Sequence, residues 1–391
     1  MKRALFFGLL GILPLVKIAP AGPPEIYKSS DISFAAFARR AKPGDMYVFA
    51  PGWYVDPEYL IAAEGLQGTE QRPITIYAPE RLTFLDGEGR RPPIHLKDCR
   101  WIRVGGLNAC NSDGTVVNLA GSSHCWIKEV CAWNAGPGNT NAFGIHGGTR
   151  NRLEDCAGWG QARKTFSCSQ GGDESSLYRC WGRWERSTNV GPKMTYTWAY
   201  HNYRCRFSYC LATWDARMPD QYVLHQNGKP FRPNTPPLPG SEVDQAYGLF
   251  SMDRVDKPIG VVLDHCVGYV FPDQCCHGFR AGFFGHKADG IRISDCVSFL
   301  PGRELQPFRL GQSRETFTDV HAEDLTGLGA SESFIGPTWQ GSGLNGQADI
   351  QDILKHWRNS PILVRIKTLA GEDVLERLEG VARAAGITPS P

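Results

Sequence analysis

Phe143-Gly-Ile-His-Gly-Gly leading to Leu153-Glu-Asp-Cys156, Phe166-Ser-Cys-Ser-Gln-Gly leading to Leu177-Tyr-Arg-Cys180, and Tyr196-Thr-Trp-Ala-Tyr leading to Phe207-Ser-Tyr-Cys210 state one phrase three times. The separations from aromatic to cysteine are 13, 14 and 14 residues. The phrase extends outward from Val117 to Val130 and from Phe283 to Cys296, both 13 residues, with degenerate copies from Leu249 to Cys266 and Phe308 to Leu325, both 17. Self-similarity of this kind marks one supersecondary unit stacked on its neighbours. Within a unit the apolar residues alternate, as in Ile291-Arg-Ile293-Ser-Asp-Cys296, which is strand spacing, and Gly, Asn and Asp fall where turns belong. No repeat carries a sustained helical period. Short strands without crossover helices wind into an all-β, single-stranded parallel β-helix, with equivalent residues stacked about 4.8 Å apart.

Leu107, Val130, Cys156, Cys180, Cys210, Cys266, Cys296 and Leu325 then form one inward column. The 56 residues from Cys210 to Cys266 have the length of two coils, so the spacing predicts a degenerate coil between them. Thirteen cysteines, an odd number, are explained more simply by such a packing column than by disulfides, for which Cys99 with Cys125 and the adjacent Cys275 and Cys276 are the candidate pairs. Zinc ligation is disfavoured, because paired C-x-x-C spacing is absent.

A chain of 391 residues is long for one globular core, but a solenoid grows by adding coils. Its net charge of +2 gives no global attraction to nucleic acid or membrane. Lys2 and Arg3, the apolar run Ala4 to Val16 and Ala19-Pro-Ala21 have the form of an export signal, too short to span a bilayer. The expectation is a secreted, periplasmic or cell-surface monomer without a membrane span. Its divisions are a signal at 1–21, an N-terminal cap helix within 22–45, the β-helix at 46–328, and a tail with a helical cap at 329–391. Ser30 and Asp31 can cap the first helix, Ser33 to Ala41; helical spacing returns at Asp349 to Trp357 and Glu372 to Ala385.

Ala41-Lys-Pro-Gly-Asp45, the apolar Met46-Tyr-Val-Phe49, Pro51-Gly-Trp-Tyr54, Gly68-Thr-Glu followed by Pro73-Ile-Thr-Ile, and Phe84-Leu-Asp-Gly87 come in a telling order. That order resembles the opening of secreted right-handed parallel β-helix proteins related to pectate, alginate and chondroitin lyases. The resemblance covers about residues 33–87 specifically and the repeats to about Leu328 generically. It implies a right-handed, pectin lyase-like β-helix and, more weakly, a carbohydrate-active function, because one fold hosts many activities. The polygalacturonase motifs are absent; Arg365-Ile-Lys367 lies in the tail, out of context. Val262-Leu-Asp-His-Cys266 and Arg217-Met-Pro219 are similar to segments of one pectate lyase family, but in reversed order and with Tyr222 where a second arginine belongs, so they are read as coincidence.

Spacing between phrases varies most after the cysteine column, so inserts collect at one corner, where solenoids place binding surfaces. The longest, Ala216 to Asp244, is expected to be an irregular flap. Arg163, Lys193 and Arg280 each stand three residues before an aromatic, facing one way. Stacked cations repel unless an anion lies across them. An acidic polysaccharide fits, with Lys193 or Lys164 as the base of a uronate β-elimination and Arg163 and Arg280 holding carboxylates. His201 and His225 flank the central inserts with the right pKa range for proton transfer, and Arg217 lies in the long insert. Trp133, Trp159, Tyr269 and Phe299, with Trp184 and Trp214 one position further on, form either a sugar platform, to which Trp214 would contribute, or a packing ladder, which is preferred. The resemblance also implies calcium, for which Asp173, Glu174 and Asp215 on the variable loops are the candidate ligands, although they form no recognisable calcium loop. The favoured reading is a polysaccharide lyase acting on a uronate-containing glycan. A non-catalytic glycan-binding or cell-surface protein and a uronan epimerase are the alternatives.

Overall fold

The computed structural model describes residues 23–185, 187, 194–199, 203–215, 224–226, 229–231, 245–250, 260–274, 281–286, 290–300, 306–311, 319–329 and 332–389. Each coil contributes three short strands, for example Asn141–His146, Arg152–Glu154 and Ala157–Trp159. Every such strand pairs in parallel with its counterpart one coil on, as Phe143 with Phe166, Leu153 with Leu177 and Ala157 with Trp181. Three long sheets result. Sheet I runs from Ile26–Lys28 to His321–Glu323, sheet II from Ile61–Glu64 to Phe334–Ile335, and sheet III from Gly52–Tyr54 to Thr326–Gly329. The architecture is a right-handed parallel β-helix.

The corners explain the turn residues. The residue preceding each member of the cysteine column adopts left-handed backbone: Glu129, Asp155, Arg179, Tyr209, His265, Asp295 and Asp324 have φ between 48° and 55°. Each such residue costs roughly 1–2 kcal/mol of local strain, offset by turning the chain in one step while its amide bonds the next coil. At the same corner one glycine is obligatory: a Cβ on Gly106 (φ 73°) would sit 2.2 Å from the Ala78 carbonyl oxygen.

The inward column is present. Trp181 N–H donates to the Cys156 carbonyl, Leu211 to Cys180, Val267 to Cys210, Val297 to Cys266 and Thr326 to Cys296, and all the column residues are buried. Beside it runs an aromatic stack, Phe143, Phe166, Tyr196, Tyr247, Phe283 and Phe308, with successive centroids 4.7, 4.8, 5.0, 4.5 and 4.9 Å apart. The tyrosine hydroxyls of the stack donate inward: Tyr196 to the Cys180 and Leu211 carbonyls, Tyr247 to those of Cys210 and Val267.

Two expectations are corrected here, the degenerate coil and Leu249 as its aromatic. No degenerate coil separates Cys210 from Cys266, because Leu211 pairs directly with Val267 and Phe207 with Leu263. The extra length lies in the insert, which contains an antiparallel hairpin of Leu224–Gln226 with Lys229–Phe231. The aromatic of that coil is Tyr247, paired with Tyr196, and not Leu249, which pairs with Trp198. The eleven cysteines among the described residues are free and buried, so Cys99 and Cys125 form no disulfide; each donates its thiol to backbone carbonyls instead. Cys275 and Cys276 lie outside the described residues.

Both ends of the chain carry helices. Ser33 caps the helix Phe34–Ala38, accepting the Ala36 N–H at 3.2 Å, and Phe34 and Phe37 close the N-terminal end of the core against Tyr47. The C-terminal helices Ile350–Arg358 and Val374–Ala384, capped by Asp349 and Asp373, cover the domain from the side. They bury the outward row of sheet III, including Trp159, Trp181, Leu211, Val267 and Tyr269, in a second core with Ile353, Leu354, Trp357, Leu378 and Val381. Polar anchors fix this layer: Arg365 donates to the Leu107 carbonyl (3.2 Å), Trp357 Nε1 to the Tyr209 carbonyl (2.9 Å) and Ser360 to the buried Asp155 carboxylate (2.6 Å). No helix among the described residues is long and apolar enough to cross a membrane.

Candidate active site

Sheet II presents an outer face of unusual character. In strand Asn141–His146, Ala142 and Phe143 both enter the core, which turns Asn141 outward together with Gly144 and His146. One coil on, Lys164, Ser167 and Ser169 occupy the same positions, and Thr197 follows Ser167 on the next rung. Apart from Gly144 all are polar, and except for half-buried His146 all are buried, although they face away from the core.

A directional hydrogen-bond chain crosses three coils on this face. Asn141 Nδ2 donates to His146 Nε2 (3.2 Å), His146 Nδ1 donates to Asn118 Oδ1 (3.1 Å), and Asn118 Nδ2 donates to His95 Nδ1 (3.1 Å). The amide orientations thereby assign His146 a neutral ring with its proton on Nδ1. Burial, then the nearby Lys164 cation, push its pKa down to about 4, so it is neutral at physiological pH.

Lys164 is 6% exposed, and its amine makes one long hydrogen bond, 3.4 Å to Asn139 Oδ1. Burial, then the Arg163 charge, push its pKa down to about 8. An amine so placed carries an available lone pair in a fraction of molecules at neutral pH, which an ordinary lysine does not. On the same face Asn141 Oδ1, Ser167 Oγ and Thr197 Oγ1 are buried without a hydrogen-bond partner among the described residues. Orphaned groups of this kind are uncommon in native structures and mark places where water or a ligand completes the network. The face thus offers a proton acceptor, a neutral imidazole and unsatisfied hydroxyl and amide groups.

The sequence-derived candidates are distributed unevenly around this face. Lys164 is at its centre, with half-buried Arg163 next to it, and the strand register sets Lys164 between Asn141 and Met194. Lys193, His201, Arg217 and Arg280 lie outside the described residues. His225 is on the hairpin strand, paired with Pro230. Trp214 is corrected: it is fully buried in the inner core, stacked on Trp184 at 3.9 Å, and offers no face to a sugar. Trp133, Trp159, Tyr269 and Phe299 likewise belong to the second core under the C-terminal layer, as a packing ladder would.

The proposed calcium ligands are not brought together. Asp173 accepts the Tyr203 N–H at 2.9 Å, and Glu174 is clamped between Arg150 and Arg204, each at 2.7 Å. Asp215 follows strand Leu211–Trp214, near the buried Glu185 and Glu372, whose pKa values are raised by burial first and then in part by Asp215. The group among the described residues with metal-ligand spacing is Asp264, His265 and Asp295, on a different corner. There the Asp264 carboxylate already accepts Arg206 and His265, both at 2.7 Å, and an imidazole is a poor calcium ligand. The described residues therefore do not fit a calcium-assisted step.

A parallel β-helix of three sheets, one of them with a polar and buried outer face, defines the class of fold. An alginate lyase from Paenibacillus sp. superimposes with a TM-score of 0.54 over 80% of this chain and 97% of its own, at 11% identity. A rhamnogalacturonan lyase does so with a TM-score of 0.51 over 83% and 87%, also at 11% identity. At that identity the likeness establishes the shared fold. No family model and no curated protein matches the sequence.

Proposed function

We propose that this protein is a polysaccharide lyase that cleaves a uronate-containing glycan by β-elimination on the outer face of sheet II, with Lys164 as the base. The observation that carries this reading is the buried Lys164 amine, its pKa pushed down to about 8 by burial and then by Arg163, on a sheet face that also carries the unpartnered Asn141, Ser167 and Thr197 polar atoms. That the fold neighbours are an alginate lyase and a rhamnogalacturonan lyase supports the substrate class. The Lys164 amine takes the proton alpha to the uronate carboxyl, whose charge Arg163 balances. The C–H electrons form the new double bond, the glycosidic oxygen leaves from the beta carbon, and it takes a proton from solvent. Ser167, Thr197 and Asn141 bind sugar hydroxyls, and His146, held neutral, keeps a second positive charge away from the base. An acidic polysaccharide outside the cytoplasm is consistent with the export-like segment at residues 1–21.

The test is the ultraviolet absorbance of unsaturated uronate, followed on pectate, alginate, rhamnogalacturonan and chondroitin. Turnover should rise with pH to a plateau above about 8. Lys164→Ala should lower kcat by about 10²–10⁴-fold, the usual worth of a general base. Absence of unsaturated product on every polymer, or full activity in Lys164→Ala, refutes the reading.

A further inference from the structure

With sheet III covered and sheet II carrying the candidate site, sheet I keeps an open outer face. Its outward row reads, rung by rung in register, Arg103, Trp126, Arg152, Ser176, Arg206, Val262, Arg292, His321. An arginine therefore stands on every second coil. Arg152, Arg206 and Arg292 have side chains 48%, 59% and 56% exposed. At two strand spacings the guanidinium groups recur about every 10 Å along the axis. The neighbouring corner repeats the alternation, with Arg150 and Arg204 two coils apart and 61% and 74% exposed.

Side chains between the arginines position them. Trp126 lies under both Arg103 and Arg152, whose guanidinium carbons are 5.5 and 5.3 Å from its ring centroid. Carboxylates occupy part of each fork: Glu154 on Arg152 (2.6 Å), Asp264 on Arg206 (2.7 Å) and Asp319 on Arg292 (3.6 Å). A guanidinium has five N–H donors, so one carboxylate leaves others facing solvent.

We infer that this arginine row is a docking track for an extended acidic polysaccharide lying parallel to the β-helix axis. One pyranose unit is about as long as one coil is high, so anions that point to the same side on every second sugar meet successive arginines. A nucleic acid strand fits less well, because its charges recur about every 3.4 Å. The track lies on a different sheet from Lys164, and it does not depend on the chemistry proposed there.

The experiment is calorimetric titration of the Lys164→Ala protein, which should leave the polymer intact, with di-, tetra-, hexa- and octasaccharides of galacturonate and of chondroitin. Affinity should climb several-fold with each added disaccharide up to the octasaccharide, which reaches four arginines. In Arg152→Gln/Arg206→Gln the gain from tetra- to octasaccharide should vanish, and the log–log salt dependence should flatten by about one unit per arginine removed. Glu154→Gln/Asp264→Asn should shift affinity the opposite way, and circular dichroism should show all variants folded. Equal affinity for tetra- and octasaccharide, binding indifferent to both double variants, or equally tight binding of a single-stranded oligonucleotide overturns the inference. Turnover by the wild type without arginine dependence removes the track alone, and arginine-dependent binding without turnover removes the lyase reading alone.

Discussion

Replacing Lys164 by methionine should make the protein more stable and inactive. In the folded chain the amine titrates at about 8, against an ordinary value of 10.5. Below pH 8 both folded and unfolded chains carry the proton, and the folded state bears the whole cost of a buried charge. A shift of that size corresponds to about 3 kcal/mol at about 1.4 kcal/mol per unit. Methionine keeps the length of the side chain and removes the charge, and the lost hydrogen bond to Asn139, 3.4 Å long, costs about 0.5–1 kcal/mol. The net gain at pH 7 is about 2 kcal/mol. The sign then fixes the pH dependence. Between pH 8 and 10.5 the unfolded chain holds a proton that the folded chain has released, so wild-type stability rises with pH across that window. The advantage of the variant should therefore shrink through the same window and disappear above it. Denaturant unfolding of both proteins at pH 7, 9 and 11 measures this directly, at about those values. A variant less stable than wild type at pH 7, or an advantage that does not change with pH, would refute the claim that Lys164 is a buried, strained cation.

Three further outcomes are expected. His146 is held at about 4 against an ordinary 6.5, so stability should fall as the pH drops from 6.5 towards 4, when the unfolded chain takes the proton first; His146→Gln should lose most of that acid slope in thermal unfolding at a series of pH values. Tyr196→Phe removes the donor to the Cys180 and Leu211 carbonyls and should cost about 1–2 kcal/mol, whereas Tyr196→Ala also breaks the aromatic stack and should cost about 3–5 kcal/mol, both read from denaturant midpoints. Ending the chain before Ala348 exposes Trp159, Trp181, Leu211, Val267 and Tyr269, and the truncated protein should bind an apolar fluorescent dye and self-associate in light scattering.

The fold was legible because in-register stacking repeats chemistry as well as spacing. A cysteine on one rung lies against a cysteine on the next, and the aromatics do the same, so the columns can be read without knowing a single contact. The coil count failed for a related reason. Nothing ties insert length to coil number, and 56 residues between rungs serve one coil with a long loop as readily as two coils. Leu249 and Tyr247 are interchangeable in the pattern because a shift of two residues leaves the facing of every side chain unchanged; only stacking on Tyr196 selects the tyrosine. At the candidate site, Lys164 was visible as a lysine beside an arginine at the start of a strand. The chain from Asn141 to His95 was not, since its members lie 23 and 28 residues apart across coils and only the register unites them.

Outward residues carry the remaining information, and they differ from sheet to sheet. On sheet I the outward row alternates arginine with other residues, on sheet II its centre is small and polar, and on sheet III it reads Cys131, Ala157, Trp181, Leu211, Val267, Val297. An alternating strand should be polar on its solvent side, so an apolar outward row demands a cover. Between sugar platform and packing ladder the sequence leaves Trp214 open, because all four residues of its strand are buried, Ala212 and Trp214 in one core and Leu211 in the other, and parity alone cannot say which apolar side chain meets solvent. The cover is supplied by the helices after Ala348, whose apolar residues are buried in one cluster with this row. The C-terminal layer is thus required by the strands that precede it: a β-helix with this third sheet would expose a continuous apolar strip along much of its length, and such strips drive association.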